Sequence, residues 1–234
     1  MEDIWQGDIR ALSRAISLVA NDGDISALLA DPLPINIPVV GITGPPGAGK
    51  STLTNKLIGQ YVQAGEKVAV LCVDPSSPYT QGALLGDRIR MTDWYNHPSV
   101  FIRSLATRGT LGGLPQKAKE IIALLKQAPF DTIIIETVGV GQNEIEIASL
   151  ADVTVIVMVP ESGDDIQLMK AGLMETGDIF VVNKCDRPGA DLFAKDIREA
   201  LHTSAKGKEK RVVKTIATTN MGVGELFNAI REES

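Results

Sequence analysis

The sequence predicts an α/β fold, with a mostly parallel central sheet that has helices on both of its faces. Short apolar runs alternate with segments of helical periodicity along most of the 234 residues, which is typical of strand–helix–strand units. Runs such as Ile133–Ile135 lack a polar face, as expected for parallel strands that are covered on both sides. Aromatic residues make up only 4% of the chain, so the core of this sheet must be mostly aliphatic.

The first part of the chain is predicted to be a helical segment, residues 1–36, ahead of the main domain. Apolar residues recur at helical spacing within residues 8–30, which predicts a helix there. The proline-rich stretch Pro32–Pro38 then interrupts the chain before the first strand. We therefore expect one α/β domain over residues 37–234.

The strands and helices of this domain are expected in alternation. The predicted strands are Val39–Thr43, Val68–Val73, Val100–Arg103, Thr132–Glu136, Val153–Val159, Ile179–Asn183 and Val212–Ile216. The predicted helices cover residues 50–64, 82–95, 114–127, 164–174, 189–202 and 223–232. This order is that of a doubly covered parallel sheet.

Composition excludes several classes of protein. The net charge of −6 and the pI near 5.0 argue against a nucleic-acid partner, because phosphate backbones attract clustered Lys and Arg. The two cysteines, Cys72 and Cys185, suggest a reducing compartment, and neither has metal-ligand spacing with His97 or His202. The acidic N-terminus does not resemble a secretory signal, and runs such as Val153–Val159 are too short to cross a membrane. We expect a cytoplasmic protein without nucleic-acid or membrane partners.

A phosphate-binding motif follows the first predicted strand. The segment fits the pattern G-x-x-x-x-G-K-[ST], whose glycines let backbone N–H groups turn toward phosphate oxygens at the start of a helix. Lys50 would place its charge on the β- and γ-phosphates, and Ser51 would offer its hydroxyl to Mg²⁺. The predicted phosphate-binding residues are Gly44, Pro45, Pro46, Gly47, Ala48, Gly49, Lys50, Ser51 and Thr52. The motif predicts a P-loop nucleoside triphosphatase.

A second element of the phosphate site ends the predicted strand Thr132–Glu136. A carboxylate at such a strand end faces the water shell of the Mg²⁺ ion, so Glu136 is a candidate for metal binding and catalysis. Gly139 lies where a backbone N–H could meet the γ-phosphate. Gln142 is near the place where Ras-like proteins position the attacking water, but it is shifted along the chain. Glu136 could instead cap a helix, and Gln142 could be an exposed polar residue of a loop.

The base is predicted to be guanine. Asn183, Lys184 and Asp186 fit the pattern N-K-x-D after a predicted strand, where the carboxylate accepts hydrogen bonds from guanine N1–H and the 2-amino group. Adenine offers no such pair of donors, so the buried acceptor would remain unmatched. Thr219 and Asn220 follow the last strand and form either a second base-contacting loop or a plain turn. The expected ligands are GTP and GDP with Mg²⁺.

Further motifs run in order along roughly two-thirds of the chain, from about residue 37 to residue 186. They are Val73–Ser77, Leu85–Met91, Phe101–Ser104, Gly109–Gly113 and Glu136–Gln142. Together they resemble the MeaB/ArgK-like G proteins that are associated with methylmalonyl-CoA mutase and related acyl-CoA mutases. The resemblance implies a P-loop GTPase of the SIMIBI class. It also implies a chaperone that gates delivery of adenosylcobalamin to a cobalamin-dependent acyl-CoA mutase and removal of damaged cofactor.

The resemblance also implies roles for particular residues. Asp74 and Asp87 would join Ser51 and Glu136 around Mg²⁺, the loop of Asp87 would sense the γ-phosphate, and Arg90 would be a charge of the active site. A further switch would sense the mutase through Asp164, Asp165, Gln167 and Lys170. From the residues alone, this last group is also what an ordinary helix start looks like, with acids at its N-terminus.

The sequence leaves two alternatives and one open question. A nickel metallochaperone GTPase of the same broad fold would need clustered Cys and His near the nucleotide, which this sequence does not supply. A P-loop kinase of a small molecule or protein fits the guanine-recognition loop poorly, because kinases commonly use ATP. Typical family members continue into a C-terminal helical arm used for dimerisation, whereas this sequence stops at Ser234, so the oligomeric state is left open.

Overall fold

The computed structural model describes residues 2–29, 36–74, 91–106, 113–137, 149–162, 173–204 and 210–234. Within these ranges, seven strands form one sheet in the order β3-β2-β4-β1-β5-β6-β7, and every pairing is parallel. The strands are β1 Val39–Thr43, β2 Val68–Asp74, β3 Val100–Ala106, β4 Thr132–Thr137, β5 Val153–Met158, β6 Ile179–Val182 and β7 Arg211–Lys214. The predicted α/β fold with a parallel sheet is confirmed.

Helices connect and cover the strands. In the described ranges they are α1 Glu2–Trp5, α2 Ile9–Ala20, α3 Lys50–Gln63, α4 Gly113–Leu125, α5 Leu173–Thr176, α6 Ala190–Ser204 and α7 Val223–Glu233. Short 3₁₀ turns occur at Ser26–Leu28, Thr92–Trp94, Pro160–Ser162 and Ala217–Thr219. None of the helices described here is long and apolar enough to span a membrane.

The two faces of the sheet bury different sets of aliphatic side chains. On one face, Val40 and Ile42 of β1 pack into a cluster that α3 and α7 cover, with Tyr61 and Phe227 meeting edge to face at 5.0 Å between ring centroids. On the other face, Val39 packs with residues of α2 and α4. Burying an aliphatic side chain of this size stabilises a fold by about 1.5–3 kcal/mol, so both helical layers hold β1 firmly in the centre.

The N-terminal helix is shorter than the sequence pattern predicts. The prediction covered residues 8–30, but α2 ends at Ala20. Asp22 adopts a left-handed conformation with φ of 59°, and the N–H of Gly23 donates to the carbonyl of Leu18 at 2.8 Å. Asn, Asp and Gly tolerate this backbone, so they end the helix although apolar residues continue beyond it. At the other end, the Asp8 carboxylate accepts hydrogen bonds from Arg10 N and Ala11 N, and these bonds lower its pKa.

Smaller differences concern the ends of elements. Strand β7 ends at Lys214 instead of Ile216, because the N–H of Ile216 turns to donate to the carbonyl of Met221. Of the predicted helix 82–95, the described part contains only the turn Thr92–Trp94, and of helix 164–174 it contains only the start of α5. The remainder of both lies outside the described residues.

Candidate functional site

The phosphate loop runs from the end of β1 to the start of α3 and depends on two glycines for its shape. Gly44 has φ of 139°, and a Cβ atom there would lie 2.0 Å from the carbonyl oxygen of Val157 in β5. Gly49 has φ of 90°, and its Cβ would lie 2.5 Å from Nδ2 of Asn183. Only glycine combines this backbone with such close neighbours. The loop ends at Gly49, directly before α3 begins. The N-terminus of a helix favours a bound anion because its backbone N–H groups and its dipole carry positive charge.

Lys50 is buried within this loop. Its ammonium donates hydrogen bonds to the carbonyl oxygens of Gly44 at 2.7 Å and Pro45 at 3.0 Å. Both acceptors are uncharged and belong to the loop that would surround the phosphates. A phosphate oxygen forms a stronger, charge-assisted bond with an ammonium group. The arrangement thus keeps a cation close to the predicted position of the β- and γ-phosphates.

A hydroxyl and a carboxylate meet beside the loop. The Ser51 hydroxyl donates to Oε1 of Glu136 at 2.6 Å, and both residues are buried, with exposed fractions of 6% and 3%. Strand pairing places Cys72 next to Glu136 and Val73 next to Thr137, so Asp74 ends β2 at the same edge of the sheet. Oxygen groups of this kind are the ligands that Mg²⁺ prefers. The residues present therefore fit a magnesium ion.

Asn183 joins the segment of residues 183–187, called the base loop here, to the phosphate loop. Its Nδ2 donates to the carbonyl of Ala48 at 2.8 Å. Its Oδ1 accepts bonds from the Thr215 hydroxyl at 3.0 Å and the Ala217 N–H at 3.1 Å. Lys184 adds a second link, because its ammonium donates to the carbonyl of Gly47 at 2.7 Å. The two predicted nucleotide motifs are thus in direct contact.

The rest of the base loop presents Asp186 to solvent. Cys185 is partly buried and its N–H donates to the carbonyl of Thr215 at 3.1 Å, while burial raises the pKa of its thiol. Asp186 is exposed and follows directly. Beyond it, the Arg187 guanidinium forms an ion pair with Glu161, which lies after β5. Asp186 therefore stands between two residues that the rest of the fold holds in place.

The chain is similar to known proteins in both sequence and structure. The chain matches the family described as methylmalonyl Co-A mutase-associated GTPase MeaB over residues 12–234. The chain belongs to the MeaB family of GTPases. It therefore binds guanine nucleotides and hydrolyses GTP to GDP and phosphate.

Two relatives and one solved structure are similar to this MeaB-family chain over most of its length. A Pyrococcus horikoshii protein with a GTPase name is 48% identical over 240 residues, covering 99% of this chain and 76% of the relative. The fused isobutyryl-CoA mutase of Cupriavidus metallidurans is 40% identical over 220 residues, covering 88% of this chain and 20% of the mutase. The solved structure of a protein named LAO/AO transport system kinase has a TM-score of 0.77 at 29% identity, covering 99% of this chain and 72% of that one.

Two residues that contact Asn183 in this MeaB-family chain were not predicted from the sequence, and several predicted site residues lie outside the described ranges. Thr215 and Ala217, which hold Asn183, were not predicted, although both follow the last strand at the edge where the base loop lies. Thr219 and Asn220 are exposed in a tight turn, with the Thr219 hydroxyl donating to the carbonyl of Ile216. The predicted residues Asp87, Arg90, Gly139, Gln142, Asp164, Asp165, Gln167 and Lys170 lie outside the described residues.

Two glycine variants test the contact between the loops. Gly49→Ala should lower GTP and GDP affinity about tenfold, because the added methyl displaces Asn183 and its buried hydrogen bonds, worth about 1–3 kcal/mol. Gly47→Ala is the comparison within the same loop, since Gly47 also has a positive φ, of 76°, but a Cβ there meets no atom of the described residues within 4 Å. Titration with a fluorescent guanine nucleotide measures both variants. Equal losses in the two would show that backbone conformation, and not the contact with Asn183, decides affinity.

Proposed function

We propose that this chain uses GTP and Mg²⁺ to gate loading of cobalamin into a cobalamin-dependent acyl-CoA mutase and removal of damaged cofactor. The observation that carries the proposal is the similarity to the fused isobutyryl-CoA mutase, which extends over 88% of this chain. A segment similar to this GTPase is thus part of a single polypeptide that bears a mutase name. The family description, which names association with methylmalonyl-CoA mutase, supports the same class of partner.

Magnesium would be held by oxygen groups at the C-terminal edge of the sheet. Ser51 and Glu136 would hold it, with Asp74 close by at the end of β2 and Asp87 proposed from the sequence. When bound, the ion supplies positive charge that offsets the charge of the β- and γ-phosphates during hydrolysis. Glu136 would also orient the Ser51 hydroxyl, as it does in this structure.

The chain's own residues would bind and orient the nucleotide. Backbone N–H groups of the phosphate loop and the N-terminus of α3 would hold the phosphates, and Lys50 would move from the loop carbonyls to phosphate oxygens. Asn183 and Lys184 would keep the base loop aligned with the phosphates. For catalysis we propose Arg90 and Gln142 from the sequence alone, and we expect basal hydrolysis to be slow because P-loop GTPases depend on a completed site.

The mutase is expected to accelerate hydrolysis through the segment that follows β5. We propose that mutase binding reorders the segment containing Asp164, Asp165, Gln167 and Lys170, and that polar groups then complete the site. By thermodynamic linkage, a nucleotide state that favours the reordered segment must also favour mutase binding. GTP-bound and GDP-bound protein should therefore differ in mutase affinity.

Phosphate release at saturating GTP tests this function. Purified methylmalonyl-CoA and isobutyryl-CoA mutases are added in turn, and the cognate one should raise the rate by about tenfold or more, as completion of a GTPase site by a partner does. Asp164→Ala and Lys170→Ala should retain basal hydrolysis and lose the stimulated part. Lys195→Ala, on the exposed face of α6, is the control for removing a lysine and should change neither rate. A mutase that binds without changing the rate would contradict the proposal.

Phosphoryl transfer to an acceptor is the second candidate, and the name of the LAO/AO transport system kinase structure favours it. The same phosphate assay separates the two functions. A GTPase releases free phosphate from GTP when no acceptor is present. A kinase would release free phosphate only as a side reaction. With GTP labelled in its γ-phosphate, a kinase would transfer the label to the added acceptor.

A further inference from the structure

We infer that Glu161 is a positioning residue for guanine recognition, because its ion pair with Arg187 fixes the far side of the base loop. The inference rests on the proposed role of Asp186 in reading the base. Glu161 lies in the turn Pro160–Ser162 that follows β5, and Arg187 comes directly after Asp186. The pair therefore joins the base-reading position to the turn after the neighbouring strand β5.

Contacts on its near side, in its middle and on its far side attach the base loop to other described parts of the fold. On its near side, Asn183 and Lys184 bond to the phosphate loop. In the middle, Cys185 N–H bonds to the carbonyl of Thr215 beyond β7. On its far side, Arg187 pairs with Glu161. Asp186 lies between the second and third attachments, so its orientation depends on both.

The backbone of this loop needs such attachments. Lys184 has φ of 55°, which is uncommon for a residue with a side chain and costs free energy unless surrounding contacts maintain it. The Arg187 N–H donates to the carbonyl of Lys184 at 3.0 Å, which closes the turn around Asp186. An ion pair at Arg187 therefore acts on the strained turn itself, and not only on a distant side chain.

The charges agree with this arrangement. The hydrogen bond from Arg187 lowers the pKa of Glu161, and the nearby charge of Lys184 lowers it as well. The carboxylate is therefore stabilised in its charged form beside Arg187.

An exposed ion pair contributes little to global stability, so the expected effect concerns the ligand. Glu161→Gln should leave the melting temperature nearly unchanged. Guanine affinity should fall roughly threefold to fivefold, and GDP should dissociate correspondingly faster, which is the scale that one partly exposed ion pair supplies. The difference from wild type should shrink at about 1 M salt, because screening weakens exposed pairs.

The experiment measures GDP dissociation, GTP affinity and ATP affinity for Glu161→Gln, Arg187→Glu and the charge swap Glu161→Arg with Arg187→Glu. Glu66→Gln is the control, because Glu66 forms a comparable ion pair with Arg231 outside the base loop. We expect both single variants to weaken GTP relative to ATP, the swap to restore the preference, and the control to match wild type. Unchanged GDP dissociation in Glu161→Gln, or a swap that restores nothing, would overturn the inference.

Asp186→Asn, measured in parallel, separates the role of Asp186 in reading the base from the positioning role of Glu161. If this variant keeps the wild-type preference for guanine, the assignment of the base loop fails, and the inference about Glu161 fails with it. If Asp186→Asn changes the preference and Glu161→Gln does not, only the positioning role is wrong.

Discussion

Lys50→Ala is expected to lower the affinity for GTP about a hundredfold, equivalent to about 2.7 kcal/mol. In the structure the ammonium of Lys50 is buried and held on carbonyl oxygens of Gly44 and Pro45. It is therefore already inside the loop where the phosphates are expected, and little rearrangement is needed to reach them. Removing it leaves phosphate charge in a poorly hydrated site without its nearest cation, a loss of about 2–5 kcal/mol for comparable buried pairs.

Calorimetric titration with GTP and GDP measures this effect. GDP should lose less affinity than GTP, because the γ-phosphate contributes additional charge near Lys50. Lys56→Ala is the matched control, since Lys56 lies on the same helix but outside the phosphate loop. Wild-type GTP affinity in the Lys50 variant would mean that the phosphates bind elsewhere.

Asp186→Asn is expected to replace the preference for guanine by a preference for xanthine. The wild type should bind GTP at least about tenfold more tightly than ATP, a difference of about 1.4 kcal/mol. An asparagine amide donates where the carboxylate accepts, so it matches the acceptor at the 2-position of xanthine and opposes the amino group of guanine. Asp186 is exposed, and the variant should therefore fold normally.

Competition between GTP, XTP and ATP for one fluorescent nucleotide measures the preference in both proteins. Asp191→Asn, at the start of α6, controls for the loss of one exposed carboxylate near this edge of the sheet. Equal affinity of the wild type for ATP and GTP would remove the basis of the guanine assignment. A variant that still rejects XTP would move the reading of the base to another residue.

Most of the fold could be predicted because it depends on local patterns. Parallel strands such as β4 are buried on both faces, so their sequences are continuous apolar runs that are easy to recognise. The pairing of Ser51 with Glu136 spans 85 positions, yet each residue follows or ends a strand in a motif of its own. The C-terminal ends of parallel strands share one edge, which is why two separate motifs could be expected to meet there.

The contacts that the sequence did not indicate are those without a local pattern. Thr215 and Ala217 reach Asn183 across 32 and 34 positions, and nothing in their own neighbourhood marks them as ligand-site residues. The pair of Glu161 and Arg187 is similar, because a single acid after a strand is common on any surface. The predicted length of α2 was too long because the apolar periodicity continues past Ala20. The residues Asn21–Gly23 favour a helix end, and this local preference ends the helix there.

The position of Asn183 makes the two ends of the nucleotide thermodynamically dependent on each other. Its amide group bonds to the Ala48 carbonyl of the phosphate loop and, at the same time, to the Thr215 hydroxyl and the Ala217 N–H after β7. These bonds are present without a nucleotide, so Asn183 holds the phosphate loop and the base loop at a fixed separation before GTP binds. Once one end of GTP is bound, the other end is already placed at its own loop, so GTP should behave as a chelating ligand that binds more tightly than guanosine or pyrophosphate alone.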